Sequence, residues 1–252
     1  MIYNQINIFN DEEQRRLDIL PEIRKEPKTK KGDLYILGNH RLLCGDSTNT
    51  HHVNKLINNN SINSIITDPP YGLGIDGQKK TFCLNPKHNR KTHEFRGWDV
   101  KKPDKNIFNY ILSFNVPTVI WGGNYFADML PATRGWIYWN KGQDGLTMSD
   151  GELAWTNVNK VLRSIKLNRS VLKGSIHPTQ KPVELVIFCL KYLESGKNIL
   201  DLYGGSGSTL IGAECTKRHA YIMELDPLYC DLIVKRWENF TGNKAILRSK
   251  VK

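Results

Sequence analysis

The chain lacks the cysteine patterns that organise small secreted domains and zinc modules. Its five cysteines, Cys44, Cys83, Cys189, Cys215 and Cys230, are odd in number and scattered, with no CxxC. That argues against a disulfide framework and fits a reduced, cytoplasmic setting. No apolar run approaches the ~20 residues of a membrane span. The polar start Met1-Ile2-Tyr3-Asn4-Gln5 does not read as a signal peptide. Gly-Lys-Ser/Thr is absent, which removes a P-loop. Internal repeats and low-complexity tracts are missing too. Acidic residues are scarce: 25 Asp+Glu face 36 Lys+Arg, for a net charge of +11 and a pI of 9.4. A shortage of that sign points to a polyanionic partner. What is present is ordinary for a soluble globular chain. Its 252 residues, 39% of them hydrophobic, suffice for one large α/β domain or two small ones.

The positive charge is clustered. Nine basic residues between Lys79 and Lys105, Lys101 and Lys102 among them, face only Glu94, Asp99 and Asp104. A second group, Lys160, Arg163, Lys166, Arg169, Lys173 and Lys181, contains no acid. Such runs are usually solvated faces. Here both flank the motifs described next, which favours phosphate-gripping surfaces.

Residues 1–32 are polar, with Pro21 and Pro27, and read as a short helix over 10–20 followed by a flexible linker. A hairpin turning at Gly38-Asn39 follows, then a helix over 50–58 and a buried strand over 61–68. Residues 72–105 show no period. Beyond them come a helix over 104–115, a strand over 118–121, a Gly122-Gly123 turn with a short helix, and strands over 134–139, 152–157 and 160–167. The end alternates: helix 182–194, strand 198–203, helix 207–216, strand 219–224, helix 227–240. Alternation of this kind predicts an α/β fold built on a single doubly wound, mostly parallel sheet.

Two motifs carry the chemistry. Asp68-Pro69-Pro70-Tyr71 ends the apolar run Ser64-Ile65-Ile66-Thr67. A carboxylate at a strand end can accept one N–H of an amino group and the Pro69 carbonyl the other, while Tyr71 offers an aromatic face to a planar base. An aromatic amine has its lone pair delocalised into the ring, and two acceptors draw that nitrogen toward tetrahedral geometry. A plain turn capped by Asp68 is the alternative for this motif taken alone. About 130 residues later, Asp201-Leu202-Tyr203 runs into Gly204-Gly205-Ser206-Gly207-Ser208-Thr209, a strand, a glycine turn and a helix start. Glu224 stands 23 residues beyond Asp201, at the end of the next strand. A glycine turn alone is a weak signal, but with an acid at that distance it suits a nucleoside cofactor whose ribose hydroxyls meet the carboxylate.

These motifs, in this order, resemble the β group of DNA amino-methyltransferases, which methylate adenine N6 or cytosine N4 with S-adenosylmethionine. Three further segments fit: Gly45-Asp46, His177-Pro178-Thr179-Gln180-Lys181-Pro182 and Glu224-Leu225-Asp226. The likeness spans residues 33–240. It implies a circularly permuted, Rossmann-like class I methyltransferase fold with an inserted DNA-recognition region at about 140–175. Residues 33–252 would then form the catalytic domain, with a basic DNA-contacting loop at 73–105. Asp68, Pro69, Pro70 and Tyr71 would be catalytic. Asp46 and Asp68 would contact the cofactor, as would His177, Thr179, Gln180 and Lys181 near its methionine carboxylate. Asp201, Tyr203, Gly205, Ser206, Gly207 and Ser208 would form its turn, and Glu224 would hold the ribose. The pattern departs from the family at Leu202, Tyr203 and Ser208. Asp at position 68 favours adenine over cytosine. The implied partner is double-stranded DNA with the target base flipped out. A homodimer, a separate restriction endonuclease, cytosine N4 as the target and a DNA-binding relative without catalysis are left open.

Other tempting residues read as bland. Cys83, His88 and His93 lack paired metal-ligand spacing. Trp136, Tyr138, Trp139 and Trp155 alternate along strands, so core packing is expected for most of them. Cys44, Cys189 and Cys215 lie in apolar runs, and Cys230 reads as a helix residue.

Overall fold

The computed structural model describes residues 10–22, 24–74, 99–142, 149–168 and 180–249. The hairpin forms where Gly38-Asn39 predicts it, between β1 (Leu34–Leu37) and β2 (His40–Cys44), with Gly38 at φ 59°. The further strands are β3 (Ser64–Thr67), β4 (Thr118–Trp121), β5 (Trp136–Asn140), β6 (Gly151–Thr156), β7 (Arg163–Lys166), β8 (Asn198–Asp201), β9 (His219–Glu224) and β10 (Ile246–Ser249). All ten join one sheet in the order β10-β1-β2-β9-β8-β3-β4-β6-β5-β7. From β2 through β9, β8 and β3 to β4 every pair is parallel. Antiparallel pairs flank this centre, β10 and β1 on one side and β6 and β5 on the other.

The central strands are buried on both faces, as parallel strands covered by helices must be. Their adjacent residues divide between two cores. Ile66, Val119 and Ile199 face α4 (Val183–Leu193), α5 (Ser208–Cys215) and α6 (Pro227–Thr241). Ile65, Ile120 and Leu200 face α2 (Thr50–Ile57) and α3 (Lys105–Ser113). None of these six is more than 2% exposed. Full burial of such side chains contributes roughly 1.5–3 kcal/mol each. Helix ends follow their sequence signals: α6 starts at Asp226-Pro227, with the Asp226 carboxylate accepting from the Leu228 amide, and stops at Gly242, φ 75°.

The chain leaves β8 for β9 in one direction and β3 for β4 in the other. The carboxyl ends of β3 and β8 therefore lie side by side at a topological switch point, where open α/β sheets bind ligands. Asp68 follows one of these ends and Asp201 closes the other.

Three features bear on the sequence expectation. First, the described part of 1–32 is held against the body. A capping box between Asn10 and Glu13 starts α1 (Asp11–Asp18), Leu17 enters the core, and the Lys28 and Thr29 amides donate to Asp231. Polar partners far along the chain thus tie down the segment expected to be a flexible linker. Second, within 140–175, expected as an inserted DNA-recognition region, the strands β6 and β7 belong to the main sheet. Third, β10 was not expected; it pairs with β1 at the sheet edge. The basic loop's residues 75–98, with Cys83, His88 and His93, lie outside the described residues, as do His177 and Thr179. No helix among the described residues is long and apolar enough to cross a membrane.

Candidate active site

One cavity of about 560 Å³ opens at the switch point, within the usual size range for ligand pockets. Asp68, Pro69, Pro70 and Tyr71 line one end of it. Asp46, Tyr203, Gly205 and Glu224 line the other, with Asp201, Gln180, Lys181, Ser206 and Ser208 between. The two sequence motifs, so far apart in the chain, therefore converge. Gly207 does not line the cavity. At φ 82° it precedes α5 and packs on Ile233, where a Cβ would meet Ile233 Cγ1 at 3.1 Å.

At the glycine-turn end, the Glu224 carboxylate is fixed by two backbone donors, the Gly205 amide at 2.7 Å and the Asp226 amide at 2.8 Å. Burial outweighs these hydrogen bonds and pushes its pKa up to about 7. Asp201 is likewise raised by burial to about 7, although its Oδ1 accepts from Thr67 Oγ1 at 3.1 Å and the Tyr203 amide at 3.0 Å. Those bonds tie the β8 end to β3, so Asp201 shapes the turn. Asp46 accepts from the amide and hydroxyl of Thr48 at 2.8 and 2.7 Å. The Gln180 side chain donates to the Asp18 carbonyl and the Ser208 hydroxyl to the Lys181 carbonyl. Below the turn, buried Arg236 joins the Ser206 carbonyl (2.9 Å) to the Leu17 carbonyl (2.9 Å) and the Asp18 carboxylate (3.5 Å). The first helix thereby props the glycine turn. The carboxylate ending β9, the glycine turn and the α5 N-terminus suit a ribose and an amino-acid tail, so the donor set fits a nucleoside cofactor.

At the other end, the Tyr71 hydroxyl donates to Asp68 Oδ1 at 2.6 Å, and Lys181 Nζ donates to Asp68 Oδ2 at 2.5 Å. Burial raises the Asp68 carboxyl above its usual range against the pull of the Lys181 ammonium. Tyr71 stacks on Tyr125, centroids 4.9 Å apart at 20°, which covers one of its faces. Gly122, at φ 71°, lies so close to the Tyr71 ring that a Cβ there would run into it. Lys181 also pairs with Glu152 at 3.0 Å, and Glu152 with Lys141 at 2.7 Å. Two carboxylates and two ammoniums thus alternate, from Asp68 and Lys181 on the cavity wall to Glu152 and Lys141 behind it. Burial opposes the charge on Glu152, but the two lysines outweigh it and hold its pKa down at about 2.

The ammonium of Lys181, a residue expected near a cofactor carboxylate, is thus bonded to Asp68. Its partner Glu152, on β6, was not anticipated. The available signal was an acid inside the apolar strand Gly151-Glu152-Leu153-Ala154-Trp155, opposite Trp139 in register. Trp139 and Trp155 are buried, with their ring N–H groups on the Leu167 and Pro131 carbonyls, and Trp136 and Tyr138 are half-buried, as core packing predicts. Cys44, Cys189 and Cys230 are buried and Cys215 is half-buried against the core.

Residues 85–235 match the N6/N4 methyltransferase family model, described as DNA methylase. No curated protein matches the chain. Among solved structures, the M1.HpyAVI–SAM complex is 20% identical over 77% of this chain and 97% of that one, with a TM-score of 0.49. PvuII DNA methyltransferase, cytosine-N4-specific, is 15% identical over 88% and 94%, with a TM-score of 0.49. TTHA0409 of Thermus thermophilus, complexed with S-adenosyl-L-methionine, is 16% identical over 82% and 96%, with a TM-score of 0.44.

Proposed function

The chain belongs to the N6/N4 DNA methylase family, and we propose that it transfers a methyl group from S-adenosylmethionine to N6 of an adenine flipped out of double-stranded DNA. The observation that carries this reading is the convergence of Asp68 and the Gly205–Glu224 corner on one cavity. The family match begins beyond Tyr71, so the role of Asp68 rests on this geometry and on its motif.

Glu224 would accept from the ribose hydroxyls, and Asp46 and Tyr203 would border the adenine of the cofactor. Gly205 would let its amino-acid end approach the backbone, and Ser206 and Ser208 would bring backbone amides against it. When bound, S-adenosylmethionine supplies an electrophilic methyl carbon on a sulfonium that departs as a neutral thioether.

The protein's remaining task is to aim the amine and keep its lone pair available. Asp68 accepts one N–H and the Pro69 carbonyl the other, so the pair points away from them. The proton lost after transfer leaves from the product ammonium, so no base need act before attack. Tyr71, held by Tyr125 and Gly122, fixes the Asp68 carboxylate through its hydroxyl. The basic residues Lys101, which lines the cavity, and Lys102 next to it, with Lys160 ahead of β7 and Arg163 and Lys166 on that strand, would grip phosphate. Asp at position 68 supports adenine over cytosine.

The test is methyl transfer from labelled S-adenosylmethionine to unmethylated genomic DNA by the wild type and by Asp68→Ala. Label is expected in DNA with the wild type only, while Asp68→Ala still binds cofactor. Turnover by Asp68→Ala would remove Asp68 from its role.

A further inference from the structure

Both oxygens of Asp68 are already engaged in the structure, Oδ1 by the Tyr71 hydroxyl and Oδ2 by the Lys181 ammonium at 2.5 Å. The ammonium therefore takes the acceptor that a target amine needs. A charge-assisted contact of that length outcompetes a neutral amine N–H. The same ammonium is 3.0 Å from Glu152 Oε2 and 3.4 Å from the Tyr71 hydroxyl. Glu152 does not line the cavity. Its other oxygen is anchored by Lys141, whose Nζ sits 5.2 Å from the Trp139 ring centroid.

We propose that Glu152 is a positioning residue acting through Lys181: it draws the ammonium off Asp68 as the target amine arrives, which frees Asp68 Oδ2 to accept the amine. This rests on the reading of Asp68 as the amine acceptor. Lys181 lies between two carboxylates on different strands, one at the end of β3 and one on β6, so a small rotation of its terminal bonds exchanges partners without moving the backbone. The cation stays in the site throughout, and neither carboxylate is left buried and unpaired. Glu152 is suited to hold it, because Lys141 keeps Glu152 ionised when Lys181 is shared. The two aromatic rings beneath Lys181, Tyr71 and Trp121 at 5.7 and 5.6 Å from Nζ, give the ammonium a favourable path between its partners.

The experiment is a double-mutant cycle on the full chain, with single-turnover methyl transfer to DNA and cofactor affinity as separate readouts. Glu152→Gln removes the charge that attracts the ammonium, so the single-turnover rate is expected to fall about 10- to 100-fold. The dissociation constant for S-adenosylmethionine stays within about twofold, because Glu152 does not touch that end of the cavity. In the Lys181→Gln background there is no ammonium to draw off, and adding Glu152→Gln produces no further loss. If Glu152→Gln does not fold, Glu152→Asp takes its place. The shorter carboxylate keeps the charge but not the reach, so the loss again appears only with Lys181 present. Equal losses in both backgrounds, or a wild-type single-turnover rate with Lys181 present, overturn the proposal. Failure of the underlying reading looks different: Asp68→Ala would then keep its turnover whatever stands at position 152.

Discussion

Cofactor binding should depend on pH through Glu224. Burial lifts its carboxyl to about 7, whereas the hydrogen bonds that ribose hydroxyls would make require the ionised form. With a pKa of about 7, roughly one site in eleven is ionised at pH 6 and ten in eleven at pH 8. Affinity for S-adenosylmethionine should therefore rise about tenfold across that window, about 1.4 kcal/mol. At pH 7 binding should release about half a proton. The sign for stability runs the other way. Glu224 and Asp201, both raised, favour the folded chain most at about pH 4 and below, and that contribution is lost as pH rises through about 7. Without cofactor the melting midpoint should fall over this range on their account, and cofactor should offset part of the loss. Isothermal titration calorimetry in buffers of different ionisation enthalpy reads affinity and proton release together. An α-amino group also titrates, at about 7.7–8.0, so the Glu224→Gln variant is the necessary comparison. It should bind more weakly and lose the part of the slope centred near pH 7. Wild-type and Glu224→Gln slopes that coincide would refute the reasoning.

Three further outcomes are expected. Asp18→Ala removes the buried partner of Arg236 and the acceptor of the Val183 amide, and should cost about 3–5 kcal/mol in urea unfolding; a loss under ~1 kcal/mol would show that the first helix is not a prop. Gly122→Ala places a methyl group against the Tyr71 ring at a positive φ, so it should destabilise by at least ~1 kcal/mol and lower kcat while cofactor affinity holds. Reversing the charge of Lys101 and Lys102 together should weaken DNA binding and reduce its log–log salt slope by about 1.8, the value for two phosphate contacts; an unchanged slope would make them a solvated face.

Much of this was legible because the signals are local. The β8–turn–α5 and β9–α6 units carry their own strand patterns, glycines and caps, and the hairpin at Gly38-Asn39 carries its turn chemistry. Asp68 could be placed at a strand end because prolines follow it. The switch point then follows from connectivity, since alternating strands and helices leave few ways to arrange β3 beside β8. Pairings across the sheet were not legible. Glu152 reaches Lys181 only because β6 lies antiparallel to β4 in one register, with Ala154 opposite Trp121, and no local pattern encodes that neighbour. The tie from Asp18 through Arg236 to Ser206 joins three distant segments and leaves a polar first helix looking like a solvated end. The edge strand β10 is four residues long with two exposed apolar side chains, Ile246 and Leu247, and gives too short an alternation to register.

The central claim is that the carboxylate after β3 and the glycine turn after β8 build one site for methylating an amine on a DNA base. Nucleoside mass spectrometry of DNA incubated with the protein and S-adenosylmethionine tests it most directly. The account predicts N6-methyladenine, formed by the wild type and missing with Asp68→Ala. DNA in which no adenine has gained a methyl group, or in which Asp68→Ala leaves the same mark, would contradict it.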